Sequence, residues 1–271
     1  MRYSSERSIE FLVFLDVIFA FLLVLSGSFL GIMSTIFYII AFILPILIGY
    51  YSTRVNNKHK DFLGFEGVVS SIPFIAPTIG AVMIISLLTS LIIGLITGKS
   101  NMVDLGDNLL VAIISHALMP AIFEETLFRL VPLRALKGRS WAVIVFYSAI
   151  FFSLIHHSLF SMPYAFIAGV VFMIIDLAFD SVWPSVIIHF LNNAISVLFI
   201  FYGGSPAFLW GVISGIVILS LASIIYIVKN FKRYEKIKEK IADLSELRSI
   251  PPKEIWILVI PMLILAVMEL M

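Results

Sequence analysis

In the run EETLFR, Glu124 and Glu125 are adjacent, and Arg129 follows Glu125 by four residues inside an apolar stretch. A charged side chain at bilayer depth costs roughly 2.5–3.5 kcal/mol even on the lenient insertion scale, so each needs a partner or a task. On a helix, Glu125 and Arg129 share one face and can neutralise each other. Glu124 is turned about 100° from Glu125 and has no obvious local partner. The pattern holds one carboxylate in an ion pair and leaves the other free.

Four more polar side chains interrupt apolar runs downstream: His156, His157, His189 and Asn193. In HFLNN, His189 and Asn193 are four apart and share a helix face, while Asn192 is expected to point elsewhere. His156 ends FSLIH, one turn after Phe152 on the same face. A carboxylate, two imidazoles and a carboxamide on three helices can activate water and stabilise an oxyanion, the two requirements of hydrolysis. His157 is the ambiguous neighbour of His156, near the outer end of its span. His116 reads as structural, and Asp176 and Asp180 as lining a polar interior or capping the cytosolic end of their span.

Other intramembrane hydrolase designs are absent from the sequence. It has no HExxH zinc helix, no GxSG serine motif with a plausible base and no cysteine. Asp176 and Asp180 lie four apart on one helix, so they do not face each other from two.

These groups must be positioned by membrane-spanning helices. The chain has 271 residues, 61% hydrophobic and 13% charged, with a mean hydropathy of +1.10. A soluble domain has about 45–50% apolar and about 25% charged residues. The reading is an all-α polytopic transmembrane bundle of about 8–9 spans around an intramembrane polar cavity. A net charge of +1 argues against a nucleic-acid partner. The absence of cysteine excludes disulfides, a thiol nucleophile and thiolate metal ligands.

Apolar runs place spans near 9–30, 34–52, 70–97, 108–133, 141–157, 163–180, 182–202, 207–228 and 255–271. Asp16 interrupts the first run and the hydrophobic stretch then resumes, so it reads as a membrane helix and not as a cleaved signal peptide. Residues 229–254 form a charged linker, an interfacial helix or a solvated cytosolic loop. Three regions follow: N-terminal helices over 1–106, a catalytic core over 107–202, and C-terminal helices with the linker over 203–271. Of the 18 Lys and Arg, sixteen fall in segments that are cytosolic if the N-terminus is inside; Lys99 is outside and Arg129 intramembrane. That bias sets the N-terminus in the cytoplasm of a multi-pass plasma-membrane protein.

With these elements in place, EETLFR resembles EExxxR, FSLIH resembles FxxxH, and HFLNN resembles HxxxN. The three motifs occur in this order, with similar gaps, in the CAAX prenyl protease and bacteriocin-processing (CPBP or Abi) family. The resemblance covers about residues 108–200, and DSVWPSVIIHFLNN resembles that family's run into its third motif. It implies that Glu124 is the general base, that His156 binds or activates the water, and that His189 and Asn193 stabilise the oxyanion. Glu125 and Arg129 would be structural supports. The implied partners are the lipid bilayer and a peptide or lipidated protein substrate.

The family is described both as glutamate-dependent without metal and as metallo-type. Glu124, His156 and His189 could form a His2Glu zinc site with one open position. We favour the metal-free form, because these three residues on three helices are fewer fixed constraints than known zinc motifs show. A non-catalytic immunity or scaffold protein and a proton-coupled transporter are the rivals. The transporter should show internal repeat symmetry, and none is found.

The depths conflict on straight helices. At 1.5 Å per residue, Glu124 and His189 lie about 13–15 Å from the cytosolic edge, whereas His156 lies about 22–25 Å from it. They meet only if span five tilts or starts below that edge, or if Pro120 kinks span four.

Overall fold

The computed structural model describes residues 5–27, 32–53, 62–98, 105–136, 140–156, 158 and 160–235. Among the described residues every regular element is helical, as the composition requires. The helices are α1 (Ser5–Gly27), α2 (Ile32–Ser52), α3 (Glu66–Thr97), α4 (Leu109–Ala135), α5 (Trp141–Leu154), α6 (Met162–Phe179), α7 (Trp183–Tyr202) and α8 (Pro206–Lys229). In lipid a backbone must satisfy its own hydrogen bonds, and an open apolar chain can do that only as helix.

Among the described residues five helices are long and apolar enough to cross a membrane: α4, α6, α7, α8 and Gly67–Thr97 of α3. Ile36–Ser52 and α5 are apolar but shorter. The span expected over 141–157 is therefore a helix of 14 residues, about 21 Å long at the usual rise. His157, the linker beyond residue 235 and the segment 255–271 lie outside the described residues.

The core is where α1, α2, α4, α5 and α6 meet, around Phe19, Phe42, Phe128, Tyr147 and Met173. A second cluster joins α3, α6 and α7 through Val82, Phe172 and Ile188. Without a hydrophobic drive between helices in lipid, close backbone approach is what packing relies on. Gly169 of α6 supplies it, since a Cβ there would stand 2.9 Å from the Ala149 Cα of α5. Gly169→Ala is expected to force α5 and α6 apart at a cost of about 1–3 kcal/mol, read as a lower midpoint of thermal unfolding in detergent.

Helix α4 is interrupted twice. Wider π-helical turns run over Ile114–Leu118 and Thr126–Leu130, on either side of the stretch Met119–Glu125. Each is followed by a proline, Pro120 and Pro132, that has no N–H for the carbonyl four residues back. For Pro132 that carbonyl belongs to Phe128. It accepts instead from Ser148 Oγ at 2.6 Å and Arg129 Nη1 at 3.3 Å. The proline thus creates an acceptor at the membrane interior that fastens α4 to α5.

The turn between α6 and α7 is also tied down. Asp180 ends α6 in the left-handed conformation, φ 53°. Asp176, fully buried, accepts from Ser185 N at 3.2 Å and from Ser185 Oγ at 2.7 Å. A carboxylate on the first-turn donors of α7 acts as a cap supplied by the preceding helix. Val182 N donates to Phe62 O at 2.9 Å, and Trp183 Nε1 to Leu63 O at 2.9 Å. DSVWPS is therefore an anchor that sets the height of the His189 helix.

Candidate active site

The Glu125–Arg129 pair forms as its spacing suggests. Arg129 Nε lies 3.1 Å from Glu125 Oε2, and neither side chain has any solvent exposure. The guanidinium also donates from Nη1 to Ser148 Oγ at 3.0 Å. It rests over the Phe152 ring, 4.3 Å from its centroid, with Phe172 at 5.9 Å. A planar, delocalised cation suits this position, because its faces stack while its edge forms hydrogen bonds.

Glu125 has a second duty that i,i+4 spacing alone did not reveal. Its Oε1 lies 2.8 Å from His189 Nδ1. The carboxylate therefore accepts a hydrogen bond from the Nδ1–H, and the imidazole turns its Nε2 into the site. His189 Nε2 stands 3.9 Å from Glu124 Oε2, beyond a direct hydrogen bond but within strong electrostatic reach. His189 thus lies between the two adjacent glutamates, one at each ring nitrogen. With both glutamates ionised and both Arg129 and His189 protonated, the four groups sum to zero.

His156 lies just past the end of α5. Its Nδ1 is 2.8 Å from the carbonyl of Phe152, a bond that uses the Nδ1 proton and makes Nε2 the ring's acceptor nitrogen. Phe152 separates the two imidazoles, with ring centroids 5.0 Å from His156 and 5.7 Å from His189. The aromatic of FSLIH therefore supports both histidines and Arg129 together.

Glu124, His156, His189 and Asn193 all line one cavity of about 840 Å³. The depth difference read from straight helices does not keep them apart, and all four reach the same chamber. Asn193 Oδ1 accepts from Asn192 Nδ2 at 3.2 Å, which leaves the Asn193 amide N–H groups as donors. Asn192 does not point elsewhere as expected: it lines the same cavity, because the chamber wraps more than one face of α7. Its Oδ1 and Glu124 Oε2 are buried with no hydrogen-bond partner among the described residues. His116 also lines the cavity and is not a packed core residue.

Two tyrosines were missed by sequence reasoning. Tyr38 from α2 and Tyr164 from α6 line the chamber, and the Tyr164 ring lies 6.2 Å from His156. A hydroxyl at the end of an aromatic ring inside an apolar span was the available signal.

A zinc site on Glu124, His156 and His189 is not assembled by this geometry. Among the described residues no three His, Asp or Glu side chains gather closely enough to hold a metal.

No curated protein and no solved structure matches the chain. A family match, however, falls on the segment that carries both glutamates, both histidines and both asparagines of the site. Residues 106–195 match the Rce1-like family, type II CAAX prenyl endopeptidases.

Proposed function

We propose that this protein is an intramembrane endopeptidase that hydrolyses a peptide bond with a water activated by Glu124. The observation that carries the reading is the pairing of Glu124 with His189 Nε2 at 3.9 Å, on the floor of a chamber that His156 and Asn193 also line. The Rce1-like match supports the same reaction class and a peptide or lipidated protein as substrate.

Glu124 takes a proton from water, and the hydroxide attacks the scissile carbonyl carbon. His156 Nε2 accepts a hydrogen bond from the same water and fixes its approach. The carbonyl electrons move to oxygen. Asn193 Nδ2 and the Nε2–H of a protonated His189 stabilise the oxyanion, with Glu125 holding the imidazolium charge. The C–N bond then breaks, and Glu124 returns its proton to the leaving amine, giving a new carboxylic acid and a new amine, between which the acid proton passes on release to leave carboxylate and ammonium. Low dielectric strengthens each of these interactions over its value in water.

Asn193→Ala is expected to lower kcat about 10²- to 10³-fold, the usual effect of losing one oxyanion donor. KM should change little if Asn193 acts mainly on the transition state. The reading is tested with purified protein in proteoliposomes and membrane-tethered fluorogenic peptides, prenylated and unprenylated. Cleavage of any of them that disappears with the Glu124 variant supports it, and wild-type cleavage by that variant ends it.

A further inference from the structure

The chamber lies towards one end of the bundle, and that end can be identified. Successive membrane-crossing helices that alternate in direction would line a chamber near one end with alternating halves, and the lining follows that pattern. The odd-numbered helices contribute Ser86 and Ser90 of α3, His156 after α5, and Ser196 and Ile200 of α7, all towards their C-terminal ends. The even-numbered helices contribute Tyr38 of α2, Ser115 of α4 and Tyr164 of α6, all towards their N-terminal ends. Leu105, in the segment preceding α4, lies at the rim. Glu124, Phe172 and His189, near the middle of their helices, form the floor.

Below that floor the bundle is closed. The buried Glu125–Arg129 pair and the Asp176–Ser185 cap fill the next layer, with Phe128, Met173 and Leu177 around them. No residue of that layer lines the chamber. Among the described residues the chamber is therefore closed at that end.

The opposite end is the basic one. Arg134 closes α4 there, Lys229 closes α8, and Lys232 and Arg233 follow. Among the described residues no Lys or Arg lies at the chamber end of a helix. Lys and Arg near span ends are retained in the cytoplasm.

We propose that the chamber opens on the non-cytoplasmic side of the membrane, so that its substrate is an exported peptide or the extracytoplasmic part of a membrane-bound one. A cytosolic protein tail would meet the sealed side. The substrate half of this rests on the hydrolytic reading above, whereas the direction of access does not.

The native chain has no cysteine, so single cysteines report access cleanly. Ser90→Cys and Ser196→Cys line the mouth, and Ser52→Cys sits at the basic end of α2. A membrane-impermeant maleimide applied to intact cells should label both mouth variants and should reach Ser52→Cys only after permeabilisation. The reverse pattern, or mouth variants that label under neither condition, would overturn the proposal.

A second arm uses an impermeant peptide and oriented membrane vesicles. Glu124-dependent cleavage is expected when the peptide faces the extracytoplasmic surface and should be lost in inverted vesicles. Cleavage in inverted vesicles alone overturns the substrate assignment. Cleavage in neither orientation, with the labelling pattern as expected, overturns the hydrolytic reading and with it the substrate half, while the direction of access stands.

Discussion

Glu124→Gln is expected to lower the rate of peptide cleavage by about 10²- to 10⁴-fold, the range for loss of a positioned general base. A thousandfold loss corresponds to about 4 kcal/mol of barrier. Glutamine has almost the same shape, so substrate access and packing stay as they are. Stability should hardly change, because Glu124 Oε2 has no hydrogen-bond donor among the described residues. Removing its charge takes a buried carboxylate out of the floor and leaves Glu125 and Arg129 paired. The prediction is thus a split: activity collapses and the midpoint of thermal unfolding in detergent stays within a few degrees. A matching fall in both would mean that Glu124 is structural.

The opposite split is expected at Arg129. Arg129→Ala strands Glu125 at the centre of the bundle, with one oxygen facing a vacated guanidinium site. Breaking one side of a buried ion pair costs about 3–5 kcal/mol. The change also withdraws a donor from Ser148 and the cation from the Phe152 face. Arg129→Lys should recover only part of this, since a point charge cannot stack on Phe152 and bond edge-on to Ser148 and Glu125 together.

The double variant Glu125→Leu with Arg129→Leu separates stability from positioning. It removes both charges, and replacing a buried pair by apolar groups is often neutral or stabilising. Folding should largely return, whereas activity should not. His189 Nδ1 would have lost the carboxylate that sets its tautomer and ring angle, as outer partners do for other functional histidines. Thermal unfolding and cleavage rate measured on the same preparations would show this. A double variant with wild-type turnover would reduce Glu125 to packing alone.

Much of this site could be read from residue spacing. The i,i+4 relation of Glu125 and Arg129, and of His189 and Asn193, survives because helical periodicity fixes which side chains share a face whatever surrounds them. The link from Glu125 to His189 spans 64 residues and depends on how α7 stands against α4, which no local pattern encodes. Asn192 was misassigned for a related reason: a cavity has width, and more than one face of a helix can border it. The depth of His156 could not be settled from straight helices either. His156 nonetheless lines the same chamber as Glu124 and His189. Asp176 lay between lining and capping in the sequence; the Ser185 contacts make it a cap.

The most direct test is to run cleavage in ¹⁸O-labelled water with wild-type protein and Glu124→Gln side by side, with mass analysis of both products. The account predicts that wild type places one ¹⁸O in the new carboxylate and that Glu124→Gln yields almost no product. Labelled product formed at the wild-type rate by Glu124→Gln would contradict it.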